Sequence, residues 1–144
     1  MIAIFHELVG AGVCYNYKTL TPSYGSLYDV LMYYNDGTYP IEDSLELITE
    51  LKYSADQLVP ELYDETKSFK DIDLLICWEP NEKAFKRFSD SYSISPVPKS
   101  DEHESTEDDV RDGNEALLQG VTHILNNNGK GIPVICLRDL LRRT

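Results

Sequence analysis

The sequence predicts an α/β fold, a mixed central sheet flanked by helices, and three consecutive stretches carry that prediction. Residues 45–53, LELITELKY, have the composition and length of a strand. A helical pattern follows over 55–69, and residues 71–78, DIDLLICW, are then nearly continuous in apolar side chains, as suits a strand covered on both faces. Strand, helix and apolar strand in succession imply a parallel pair joined by a right-handed crossover.

The other elements follow in order. Residues 2–13, IAIFHELVGAGV, put Ile2, Phe5, Leu8 and Val9 on one helical stripe, and Gly10 and Gly12 supply its stop. From 15 to 35 the composition turns to tyrosine, threonine, valine and leucine around Pro22, Ser23 and Gly25, which predicts strands at 17–21 and 27–34 joined by a turn. Asn35-Asp36-Gly37 is a second turn signal leading into the strand at 45–53. Ser54 is placed to cap the helix at 55–69, with Leu58, Leu62, Thr66 and Phe69 inward and Pro60 limiting its first turns. A short helix at 81–87, an irregular Ser/Pro-rich stretch at 93–100, strands at 120–125 and 132–137 around an Asn/Gly loop at 126–131, and a basic terminal helical turn at 138–144 complete the chain.

At 144 residues this predicts one domain, spanning 1–144, with a proper core. The net charge of −12 is uneven: residues 100–115 carry −7, which leaves −5 for the rest. That segment, with few apolar residues, is expected to be a flexible acidic loop. Such a balance argues against an intrinsic nucleic-acid binder, whose phosphate contacts leave a basic footprint. Ten tyrosines beside one tryptophan suggest amphipathic surfaces or grooves. Cys14, Cys77 and Cys136 fit neither a disulfide framework nor a zinc motif, so buried free thiols are expected. With no apolar run of bilayer length and no basic leader, the expectation is a cytoplasmic protein without membrane association.

Alternation along 45–53 places Glu46, Ile48, Glu50 and Lys52 on one face, expected to meet solvent, and Leu45, Leu47, Thr49, Leu51 and Tyr53 on the buried one. Glu50 and Lys52 then project together from a rigid element. The layout is that of a metal site or of an ordinary exposed ion pair, and taken alone Glu-x-Lys on a strand is common and reads as the ion pair. On the preceding strand Asp29 shares a face with Leu31 and Tyr33; an aspartate there either caps a bulge or is a ligand. Glu7 lies off the stripe of the first helix, next to His6. His6 and His123 read as hydrogen-bonded core residues, Glu79 as solvated, and Gly129-Lys130-Gly131 as a turn, since it lacks the spacing of a phosphate loop. Lys83, Lys86, Arg87, Arg138, Arg142 and Arg143 form the basic clusters available to phosphates, and each serves equally well as surface.

Glu7 on a first helix, Asp29 on a strand and Glu50-x-Lys52 on the next strand resemble, in order and spacing, the core of the PD-(D/E)XK nucleases. The likeness covers about half the chain, roughly residues 2–78. The segments IAIFHELVGAG, SLYDVLMYY, LITELKYS, DIDLLICWE and GVTHIL are similar to restriction-endonuclease-like domains of bacterial defence proteins, sometimes joined to GHKL-type ATPase modules. Tyr28 stands where a proline often precedes the aspartate, and Val30 where a small residue is expected.

The resemblance implies a restriction-endonuclease-like core and a metal-dependent nuclease acting on DNA. Glu7, Asp29, Glu50 and Lys52 would be catalytic. Asp29, Glu50 and the carbonyl of Leu51 would hold Mg²⁺ or Mn²⁺, because a phosphodiester resists attack until a hard cation offsets its charge. Lys52 would hold or deprotonate the attacking water. The acidic surface implies that a homodimer, an ATPase or a DNA-binding partner delivers the substrate. The alternative is a catalytically inactive module of the same fold that serves in protein–protein interaction or regulation.

Overall fold

The computed structural model describes residues 16–19, 29–37, 40–88, 91–97 and 118–143. Its centre is a seven-stranded mixed sheet, with β1 (Tyr17–Thr19), β2 (Val30–Tyr34), β3 (Leu45–Ser54), β4 (Leu74–Glu79), β5 (Ser93–Pro96), β6 (His123–Asn127) and β7 (Lys130–Cys136). The spatial order is β1-β2-β3-β4-β7-β6-β5. An antiparallel meander, β1-β2-β3, is joined through the parallel pairs β3–β4 and β4–β7 to a second antiparallel set, β7-β6-β5. A turn of 3-10 helix at Ala55–Leu58 runs into α1 (Val59–Tyr63), and α2 (Leu137–Arg143) follows β7 directly.

Two apolar layers sandwich the sheet. Val30, Met32, Tyr34, Leu47, Leu74, Ile76 and Ile135 form one with Leu137 and Leu140 of α2. Leu75, Cys77, Val134 and Cys136 form the other with Leu58, Val59 and Leu62 from the segment around α1. Helices therefore cover both faces, and β4 is buried on both, which its apolar run requires. Among the described residues no helix is long and apolar enough to cross a membrane.

The solvent-facing side expected for β3 is corrected by this layering. In the parallel ladder Glu50 is registered with Leu75 and Lys52 with Cys77, so both lie on the layer beneath α1. Glu50 is fully buried. β3 is solvated only toward its ends, where Glu46 is exposed and Tyr53, expected to be buried, is exposed too; alternation alone cannot reveal the second cover over its middle.

The helix expected over 55–69 ends at Tyr63. Asp64 Oδ1 accepts from the Thr66 N–H at 2.9 Å, and Glu65 adopts a left-handed φ of 62°, so the backbone turns before Thr66 can point inward. At the other end Ser54 does stand at the N-cap, and Gln57 Oε1 reaches back to accept from the Tyr53 and Ser54 N–H groups. The stretch expected to be irregular contains β5, an edge strand registered with β6, and the short helix near 81–87 is 3-10 over Glu82–Phe88. The loop expected at 126–131 is a tight hairpin, with Asn128 and Gly129 at φ 51° and 83° and pairing already resumed at Lys130. The predicted first helix, the turn around Pro22 and the acidic segment lie outside the described residues, as do Glu7, His6 and Cys14.

Candidate functional site

Two adjacent strands build the site. The antiparallel register ends at Val30 opposite Thr49, so Asp29, in the bend just before β2, arrives beside Glu50. Asp29 is exposed and lies outside the strand expected at 27–34, which begins at Val30. Its Oδ2 accepts from the Leu51 N–H at 2.9 Å, which ties the bend to the middle of β3. The Asp29 carboxylate is thereby placed where its charge acts on the Glu50 carboxylate.

Glu50 and Lys52 do not pair with each other. Glu50 Oε2 accepts from Lys67 Nζ at 2.5 Å, and Lys52 Nζ lies 2.8 Å from Glu61 Oε2. Glu61 Oε2 is in turn 3.5 Å from Lys67 Nζ, so the two ammonium groups share one carboxylate oxygen on α1. Three acids and two lysines thus converge under the helix: Asp29, Glu50, Glu61, Lys52 and Lys67. Lys67 is buried, while Lys52 and Glu61 keep partial access to solvent.

Burial pushes the Glu50 carboxyl above its ordinary range; the Lys67 ammonium works against that rise, and the neighbouring Asp29 charge adds to it. Lys67 is moved the other way by its own desolvation, yet the surrounding Glu50, Asp29 and Glu61 charges outweigh this and raise it. The second oxygen, Glu50 Oε1, is buried with no hydrogen-bond partner. A buried carboxylate with one orphaned oxygen beside another carboxylate is a position where a proton or a cation lowers the energy.

Asp29, Glu50, Leu51 and Lys52 are therefore in one neighbourhood, with Leu51 contributing its N–H to Asp29. Sequence reading did not single out Glu61 or Lys67. Lys67 sits in the polar stretch DETKS, which reads as the solvated end of a helix, and only the turn at 64–66 sends it back under α1. Among the described residues no group of three His, Cys, Asp or Glu side chains is arranged to hold a metal ion by itself. Two carboxylates, Asp29 and Glu50, do meet there, and Glu50 Oε1 has no hydrogen-bond partner.

The remaining candidates take structural roles. His123 is buried, with Nδ1 2.9 Å from Thr122 Oγ1 and Nε2 3.6 and 3.7 Å from Glu82 and Asp139. Glu79 is not merely solvated, since it accepts from Arg138 at 3.2 Å. Arg87 is spent on Asp56 at 3.3 Å, and Arg142 is 3.9 Å from Asp139. Cys77 and Cys136 are free buried thiols on registered positions of β4 and β7, and Cys136 Sγ donates to the Trp78 carbonyl at 3.1 Å; the neighbouring Cys136 and burial both push the Cys77 thiol up.

In comparisons with known proteins, no family model, no curated protein and no solved structure gave a significant match to this chain.

Proposed function

We propose that this chain is a metal-dependent nuclease domain with a restriction-endonuclease-like core, hydrolysing phosphodiesters in DNA and serving in bacterial defence. The observation that supports this most is the meeting of Asp29 and Glu50 across adjacent strands, with Lys52 on the same layer. The meander β1-β2-β3 followed by a parallel β4 agrees with that reading. Asp29 and Glu50, with the Leu51 carbonyl, would hold Mg²⁺ or Mn²⁺. When bound, such an ion draws charge from the phosphate and favours attack by water. Lys52, as the ammonium held on Glu61, would orient the attacking water; to take the water's proton it would first give up its own and leave that pair as a neutral amine. Glu7 would reach the ion through water or help a second cation bind.

A second reading is favoured by the ion pairs themselves. Lys67 on Glu50 and Lys52 on Glu61 already offset the carboxylates, as they would in a catalytically inactive module that binds other proteins. Calorimetric titration with Mg²⁺ and Mn²⁺, followed by plasmid nicking in the presence of any partner subunit, separates the two. For the nuclease, wild type binds the ion. Lys52→Ala keeps that binding and loses about 10²–10⁴-fold in cleavage, the usual worth of a positioned acid–base group. Absence of cation binding in wild type favours the inactive module.

A further inference from the structure

We propose that the Lys67 ammonium is a tethered counter-ion that occupies the Glu50 pocket and withdraws to Glu61 when a divalent cation binds. This rests on the metal-binding part of the preceding reading. Glu50 is fully buried and needs a positive charge, which Lys67 supplies from 2.5 Å. Only one Glu50 oxygen is used; Oε1 has no partner, and the Asp29 carboxylate beside Glu50 adds a like charge. The lysine therefore balances the pocket incompletely, leaving three acids against two ammonium groups.

A small hard cation takes carboxylate oxygens at about 2.0–2.1 Å, and its charge repels an ammonium in contact with the same carboxylate. Lys67 has somewhere to go. Its Nζ is already 3.5 Å from Glu61 Oε2, and Glu61 is about one-third exposed. The backbone that carries Lys67 is the turn after α1, so no regular element has to move. Lys52 shares that Glu61 oxygen, and an arriving Lys67 would loosen it toward the substrate. Ion binding and release of Lys52 are then coupled through one carboxylate.

Removing the internal competitor should tighten cation binding. By calorimetry, Lys67→Met binds Mn²⁺ about tenfold or more tightly than wild type, whereas Lys67→Arg, which keeps the charge, shows no such gain. An unchanged or weaker affinity in Lys67→Met overturns the proposal. Acetylation footprinting of the wild-type chain gives a second measurement that needs no variant. Mn²⁺ should speed modification of Lys67 while the exposed Lys130, on the β6–β7 hairpin, is unaffected, and an unchanged Lys67 rate overturns the proposal. If wild type binds the ion without releasing Lys67, this inference alone falls. If it binds neither Mg²⁺ nor Mn²⁺, the reading on which it rests falls as well.

Discussion

Replacing Glu50 with leucine leaves the Lys67 ammonium buried without its nearest counter-charge. Breaking such a pair from one side costs about 3–5 kcal/mol, whereas replacing both partners with apolar groups of similar volume is close to neutral. Urea denaturation should therefore show Glu50→Leu strongly destabilised and Glu50→Leu/Lys67→Met restored to near wild type; equal losses in both would remove the pair from the fold's energetics. Asp73 tests a different charge. It accepts from the Ile48 N–H at 2.8 Å, but burial outweighs that bond and, with Asp71 nearby, raises its pKa above 3.8. The folded chain thus holds this proton more tightly than the unfolded chain. The resulting stability is complete below the ordinary carboxylate range and is lost as pH rises through the folded pKa. Asp73→Asn keeps a neutral acceptor, so its melting temperature relative to wild type should climb between about pH 3.5 and about pH 7. A constant difference would contradict the sign. At this scale Asp29, Glu50 and Lys52 were singled out by their order and spacing, and the structure brings Asp29 beside Glu50 but pairs Lys52 with Glu61. Glu61 and Lys67 were not legible, because acids and lysines in a helix and its trailing turn are ordinary until something buries them.

The β6–β7 hairpin separates two costs that glycine avoids. Gly129 sits at φ 83° with no atom near the position a Cβ would take, so Gly129→Ala should lose about 1 kcal/mol from backbone strain alone. At Gly131 an added Cβ would come 2.5 Å from Ile124 Cγ2, a methyl on a stiff β-branched side chain. Gly131→Ala should therefore cost about 1–3 kcal/mol, more than the turn substitution, when denaturation midpoints are compared. The reverse order would mean that β6 yields more easily than its packing implies. Element types were readable wherever the pattern was long, as in β3 and β4. The ends were decided by local hydrogen bonds: the Asp64–Thr66 turn cut α1 short, and pairing with β6 made a strand of Ser93–Pro96. Its mostly exposed, Ser/Pro-rich sequence suits an edge strand, which needs few ladder donors and so carries little strand signal of its own.

For the whole molecule, charge sets the terms on which it meets nucleic acid. Arg87, Arg138 and Arg142 pair with acids of the chain itself, so of the basic clusters among the described residues Lys83 and Lys86 remain, exposed on one short helix, while Lys18, Lys70 and Lys130 are exposed singly elsewhere. Two phosphate contacts through that cluster predict a log–log salt slope of about −2 for DNA binding by the isolated chain. Fluorescence anisotropy across a salt series checks this, and a slope near −6 would reveal a basic surface formed some other way. The mixed sheet followed from the strand–helix–strand order, because a continuous apolar strand has to be covered on both sides. The period of two along β3 also put Glu50 and Lys52 on a common face, since that geometry belongs to the strand alone. Which residue ahead of β2 stands beside Glu50, whether that face sees water, and which amine neutralises it were settled only by tertiary structure. Register, desolvation and ion pairing depend on chain segments that pack from a distance, and local periodicity carries no information about them.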